Sequence, residues 1–113
     1  MPRNMSCALT AQQVLDELKD VTRRLGWKFL KAGDILNLVN KTMGFKKGER
    51  PVKYKTVRVL SVRPERLDLI TPAECRREGF PHLTPAEFVT MFCRTHKGCT
   101  PETVITRIEW EYL

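Results

Sequence analysis

The sequence predicts an α+β fold in which a small β-barrel, or a strongly curved sheet, carries helices packed at its ends. Three observations predict it. Strand-length apolar segments recur along the chain, the helix signals are few, short and sharply capped, and 113 residues allow one modest core. The whole chain, residues 1–113, is therefore expected to form a single domain.

The elements follow in order. A first strand is expected near Met5 to Leu9. Thr10 then caps a helix whose Ala11, Val14, Leu15 and Leu18 fall at i, i+3, i+4 and i+7, giving one buried face that ends near Lys19. Val21 and Thr22 favour a strand, with Val21, Leu25, Trp27, Phe29 and Leu30 inward and the charged residues between them outward. Gly33-Asp34 turns the chain into the aliphatic strand Ile35 to Val39. Residues 40–55 hold two glycines, a proline and a run of lysines and arginines against one glutamate, which reads as a long exposed loop.

Tyr54 to Pro64 is the strongest strand. Val57 and Val59 lie on one parity, Leu60 and Val62 on the other, so a bulge is expected near Leu60. Thr71-Pro72-Ala73-Glu74 and Thr84-Pro85-Ala86-Glu87 each place a threonine N-cap, a proline at the first helical position and a capping-box glutamate. Ile70 with Cys75 and Leu83 with Phe88 are positioned as hydrophobic staples, and Gly79 stops the first of these helices. Val104 to Leu113 reads as a half-exposed final strand, with Val104, Ile108, Trp110 and Tyr112 on one face and Arg107, Glu109 and Glu111 on the other.

The charge is +7, and its distribution is uneven: residues 1–58 hold 13 Lys/Arg against 5 Asp/Glu, a net +8, and the remainder 7 against 8, a net −1. Such asymmetry presents a positive face, which suits a polyanion, and nucleic acid before anionic membrane because no basic amphipathic helix is present. Arg23, Arg24, Lys28, Lys31, Lys46, Lys47 and Arg50 are the candidate RNA-binding residues, with Phe45 and Tyr54 among the loop cations as stacking groups. No apolar run reaches the roughly 18 to 20 residues of a membrane span and no signal-peptide core follows Met1, so a cytoplasmic protein is expected. Cys7, Cys75, Cys93 and Cys99 are then reduced thiols. Cys93, His96 and Cys99 lack the paired spacing of a zinc ribbon, and Cys93 shares an apolar helix face with Val89 and Phe92, so no metal and no other cofactor is expected.

The blocks L-K-D-V-T-R-R, G-W-K-F-L-K-A-G-D, V-R-V-L-S-V-R-P-E-R-L, E-C-R-R-E-G-F, L-T-P-A-E-F and I-T-R-I-E-W-E-Y-L, in this order, resemble the ASCH domain, above all its small stand-alone actinobacterial and phage forms. The likeness covers nearly the whole chain except the basic loop. It implies a PUA-like barrel in which a cleft between sheet and helices meets RNA or a modified nucleoside. One branch of that family is similar in its G-x-K-T-x-T stretch and acts as an amidohydrolase on N4-acetylcytidine. The resemblance puts its lysine at Lys19, its second threonine at Thr22 and its helix glutamate at Glu78, while Glu17 and Asp20 stand where that motif has glycine and threonine. A nucleophile, a base and an oxyanion donor are what amide hydrolysis needs, and Thr, Lys and Glu supply those roles.

RNA or nucleotide binding by a monomer through a basic cleft is thus the leading expectation. Hydrolysis of a modified nucleoside comes second, and a phage–host protein-interaction module third.

Overall fold

The architecture is that of a computed structural model describing residues 2–113. Its frame is the long strand expected from Tyr54 to Pro64, which runs from Lys53 to Arg66 and is named β4 below. Around it stand β1 (Arg3–Ser6), β2 (Val21–Arg24), β3 (Ile35–Val39) and β5 (Val104–Tyr112) in the order β1-β3-β4-β5-β2. Only β1 and β3 pair in parallel; the other neighbours are antiparallel. The result is a curled five-stranded half-barrel whose edge strands, β1 and β2, face each other across a gap. Arg24 spans that gap, its Nη2 donating to Ser6 O at 2.7 Å. The register between β4 and β5 shifts between Val59 and Ser61, the place where the apolar parity changes.

Helix α1 (Ala11–Leu15) packs on β4, whereas α2 (Pro72–Arg77) touches β2 and α3 (Pro85–Thr95). Two apolar clusters result. Met5, Val14, Leu36, Leu38, Val57, Val59, Ile108 and Trp110 fill the curl of the sheet. Leu67, Ile70, Cys75, Phe88, Phe92 and Ile105 join α2 and α3 to the far end of β5.

Three expectations need correction. The first helix stops at Leu15, four residues short, because Asp16 caps it and Glu17 adopts a left-handed φ of 57°. Leu18 N then bonds Gln13 O at 2.8 Å and Glu17 N bonds Val14 O at 2.9 Å, the Schellman pattern that normally uses glycine. Leu15 and Leu18 consequently lie in solvent, 43% and 65% exposed. Second, β2 ends at Arg24, and Gly26 and Trp27 turn with φ of 78° and 58°, which brings Leu25 and Phe29 to the surface. Third, β5 is covered on both faces from Ile105 to Ile108, so Arg107 is buried while Val104 is exposed.

Candidate functional site

The site grows from the ends of two helices. Helix α2 starts at Thr71, whose hydroxyl accepts from Glu74 N, and ends in a second Schellman turn: Phe80 N bonds Cys75 O at 2.9 Å and Gly79 N bonds Arg76 O at 3.0 Å. Gly79 has a φ of 97°, and a Cβ there would sit 3.1 Å from Gln13 Cγ, so the close approach of the two helix ends requires glycine. Gln13 Nε2 donates to Gly79 O at 2.9 Å and ties the ends together.

This junction sets Glu78 against Lys19. Lys19 Nζ lies 2.8 Å from Glu78 Oε1 and 2.7 Å from Glu78 O, with both side chains almost wholly buried. The backbone of Lys19 is fixed from the other side, its carbonyl accepting from Trp110 Nε1 at 3.1 Å and from the Tyr112 hydroxyl. Burial pushes the Tyr112 phenol up to about 12, which keeps it a neutral donor. Glu78 Oε2 is the freer oxygen, with Arg23 Nη1 at 3.4 Å. A buried ion pair of this kind compensates two desolvated charges; it is not a large net source of stability.

Arg23 is part of a wider network. Its side chain is fully inaccessible, with Nη2 at 2.8 Å from both Glu65 and Glu74. Arg107 Nε reaches Glu74 at 2.6 Å, and Arg77 joins Glu74, Asp20 and Glu109. Burial works to raise the Glu74 carboxyl, but the hydrogen bonds from Arg107 and Arg23 outweigh it and hold the group down at about 2. Burial likewise opposes the charge on Arg23, and bonding to Glu74 and the charge of Glu78 reverse that, raising it. Arg23 Nε is the one buried side-chain polar atom without a partner among the described residues.

A cavity of about 250 Å³ opens between the two edge strands and α3. Thr22, Arg24, Glu78, Phe92 and His96 are among its walls. Arg24 Nε donates to Thr22 Oγ1 at 3.1 Å, and Arg24 forms no ion pair with a carboxylate among the described residues. The His96 ring stacks on Phe92 at 4.0 Å, and its Nδ1 lies 2.9 Å from Phe92 O.

Among the residues singled out from sequence, Thr22 and Glu78 share the cavity, and Lys19 stands behind Glu78 as its partner. Asp20, at the motif's threonine position, accepts from Arg77 at 2.9 Å, and Glu17, at its glycine position, pairs with Lys55. Arg23 was expected to meet RNA; closed in by three glutamates, it offers no surface to a phosphate. Lys28, Lys31, Lys46, Lys47 and Arg50 are all exposed. They do not form one basic cleft: Lys31 precedes β3 and the 40–52 loop follows it, so five strand residues, roughly 17 Å, part the two groups. Tyr54, expected to stack on nucleic acid, instead packs against the apolar core of the sheet, while Phe45 lies under Lys41. Among the described residues no three His, Cys, Asp or Glu side chains gather to hold a metal, and Cys93, whose thiol burial pushes up, packs beside the second apolar cluster.

The network residues Glu65, Glu74 and Arg107 were missed. The available signal was Arg107 on the same parity as Ile105, a charged residue on a face that must be covered.

No family model and no curated protein matches the chain. Solved structures do. The ASCH domain from Lactobacillus crispatus JV V101 superposes with a TM-score of 0.71 at 13% identity, over 97% of this chain and 78% of that one. Protein EF3133 from Enterococcus faecalis V583, of family DUF984, gives 0.66 at 13% identity, over 100% and 76%. The hypothetical protein PH0355 gives 0.69 at 16% identity, over the full length of both chains. At these identities the likeness is one of fold, and the fold is ASCH-like.

Proposed function

We propose that the protein binds RNA by taking one nucleotide, or a modified nucleoside, into the cavity between its edge strands. The observation that carries this reading is the cavity wall itself: Thr22, Glu78 and Arg24 converge on a space with aromatic Phe92 and His96 beside it. At about 250 Å³ it falls just below the roughly 300–1,000 Å³ of drug-sized ligand pockets, a size that suits a single base. The inner wall is neutralised, because Lys19 and Arg23 are matched by glutamates, and so favours an uncharged ring that both donates and accepts. Glu78 Oε2 has acceptor capacity to spare, and the Thr22 hydroxyl proton has no acceptor among the described hydrogen bonds. Arg24 lacks a carboxylate partner and suits the phosphate attached to such a base, while Lys28, Lys31, Lys46, Lys47 and Arg50 supply long-range attraction to the strand.

Calorimetric titration with cytidine and cytidine monophosphate at two salt concentrations tests the reading. Binding of both is expected, with the monophosphate tighter and more salt-sensitive. Absence of binding at low salt sinks it.

The second reading, amidohydrolysis of an N4-acylated cytidine, rests on Thr22 and Glu78 sharing the cavity with Lys19 held to Glu78. In it the Thr22 oxygen adds to the acyl carbon, Glu78 Oε2 takes the hydroxyl proton, and Arg24 Nε stabilises the charge on Oγ1. Collapse of the adduct then breaks the C–N4 bond, the proton held by Glu78 passes to the departing amine so that the nucleoside leaves, and water hydrolyses the remaining threonine ester, releasing the acid and restoring the hydroxyl. Thr22→Val preserves shape and spares the buried pair. It is expected to lower turnover of N4-acetylcytidine at least a hundredfold, as followed by chromatography of the products, and to weaken nucleoside binding by no more than about tenfold, the loss of one hydrogen bond. No turnover by the wild type at any pH removes this reading and leaves the binding one standing.

A further inference from the structure

Phe29 is a large aromatic left 52% exposed. The backbone puts it there. Gly26 and Trp27 take consecutive left-handed conformations, with φ of 78° and 58°, the second uncommon for a bulky residue. The turn brings the rings of Trp27 and Phe29 together at 5.4 Å between centroids, and the Arg3 guanidinium lies 4.4 Å from the centre of the Phe29 ring. A groove of about 530 Å³ runs beside them, lined by Arg3, Phe29, Leu30, Gly33 and Ile35.

The charge around this surface is unbalanced. Arg3, Lys28 and Lys31 form no ion pair among the described residues, and Asp34, the acid in the groove, has one carboxylate oxygen bonded to Lys31 N at 2.9 Å. The exposed Phe29 ring, backed by a half-buried Trp27 that is anchored on the core of the sheet and set among unneutralised cations, matches a strand that alternates π-faced bases with phosphates. The position fits as well. Arg3 and Ser6 are the two ends of β1, roughly 10 Å apart along the strand, and Ser6 lines the nucleotide cavity.

We infer that Trp27, Phe29 and Arg3 form a stacking platform for the bases next to the one in the cavity, on a single-stranded RNA whose phosphates pass Lys28 and Lys31. This rests on the cavity reading for the direction of the strand but not for its own test.

The test is fluorescence anisotropy with a labelled eight-nucleotide RNA, run alongside calorimetry with cytidine monophosphate, on the full chain. Phe29→Ala is expected to weaken the oligonucleotide at least about fivefold, the low end of a base-stacking contact, and to leave the monophosphate unchanged. Phe29→Leu should do the same and Phe29→Trp should restore binding, which separates ring stacking from loss of apolar area. Replacing Lys28 and Lys31 by glutamine should reduce the slope of log affinity against log salt by about 1.4. Equal oligonucleotide affinity in wild type and Phe29→Ala overturns the inference, as does a wild type that binds the monophosphate and not the RNA. RNA binding that depends on Phe29 without monophosphate binding keeps the platform and removes the cavity reading.

Discussion

Two groups of cations in this protein look alike in sequence and behave oppositely in the fold. Lys19, Arg23, Arg77 and Arg107 are drawn inward and matched by Asp20, Glu65, Glu74, Glu78 and Glu109. Lys28, Lys31, Lys46, Lys47 and Arg50 stay in water without carboxylate partners among the described residues, and Arg24 lines the cavity equally without one. The first group joins β2, β5 and α2, and the second is left to interact with something outside the chain. The count of basic residues therefore overstates how much of the basic sequence a polyanion can reach, whereas the net charge of +7 does not, because the network carries one more acid than base and the whole positive excess lies outside it.

The largest effect expected from this contrast follows from removing one partner of the buried pair. Glu78→Ala leaves Lys19 uncompensated and should destabilise the fold by about 3–5 kcal/mol, read from the urea midpoint. Replacing both, Lys19→Met with Glu78→Leu, should recover most of that loss, because neither charge then needs solvation. A double variant as unstable as Glu78→Ala would mean that the pair is held for more than charge compensation.

A smaller effect separates the groups by pH. Glu74 is held at about 2 in the folded protein against an ordinary value of 4.5. Its contribution is present above about pH 4.5 and is lost as pH falls from there toward 2, since the unfolded state takes up the proton first. Glu109, lowered by its hydrogen bond to Arg77, adds in the same direction. The thermal midpoint should fall through this window in wild type, and the fall should be shallower in Glu74→Gln, whose midpoint starts lower. An equally steep fall in the variant would assign the acid transition to other carboxylates.

The sequence made the local structure legible wherever the determinant was local. Thr71 and Thr84 start helices as expected, but only Thr84 closes the full capping box with Glu87; Glu74 turns its side chain away to Arg23 and Arg107. The bulge near Leu60 was visible because parity is a property of adjacent residues. The approach of Lys19 to Glu78 came from family likeness and from the need of a partly buried carboxylate for a cation, since 59 residues separate them and no periodicity links the two. Arg23 and Arg107 were read as solvated because alternation marks charged strand residues as outward. Their burial depends on α2 covering that face with glutamates, which no window of the strand contains. Leu15 and Leu18 failed for the opposite reason: helical spacing was present, but a left-handed residue at Glu17 ended the helix before the stripe reached the core.

The smallest expected change in stability belongs to the loop. Lys46, Lys47 and Arg50 lie exposed between Asn40 and Lys53, where backbone bonds such as Asn40 N to Val52 O close the loop without their side chains. Lys41 differs, being paired with Glu49 and lying over Phe45, and is best left in place. Replacing the three by alanine should shift the unfolding free energy by less than about 0.5 kcal/mol, as surface substitutions do. If the loop meets RNA, the same variant should lower the slope of log affinity against log salt by about 2, the release expected for three phosphates on a single strand. A stability loss above about 1 kcal/mol would place these side chains with the structural charges after all, while an unchanged slope would confine the RNA to the cavity side, where Arg24, Lys28 and Lys31 stand unpaired.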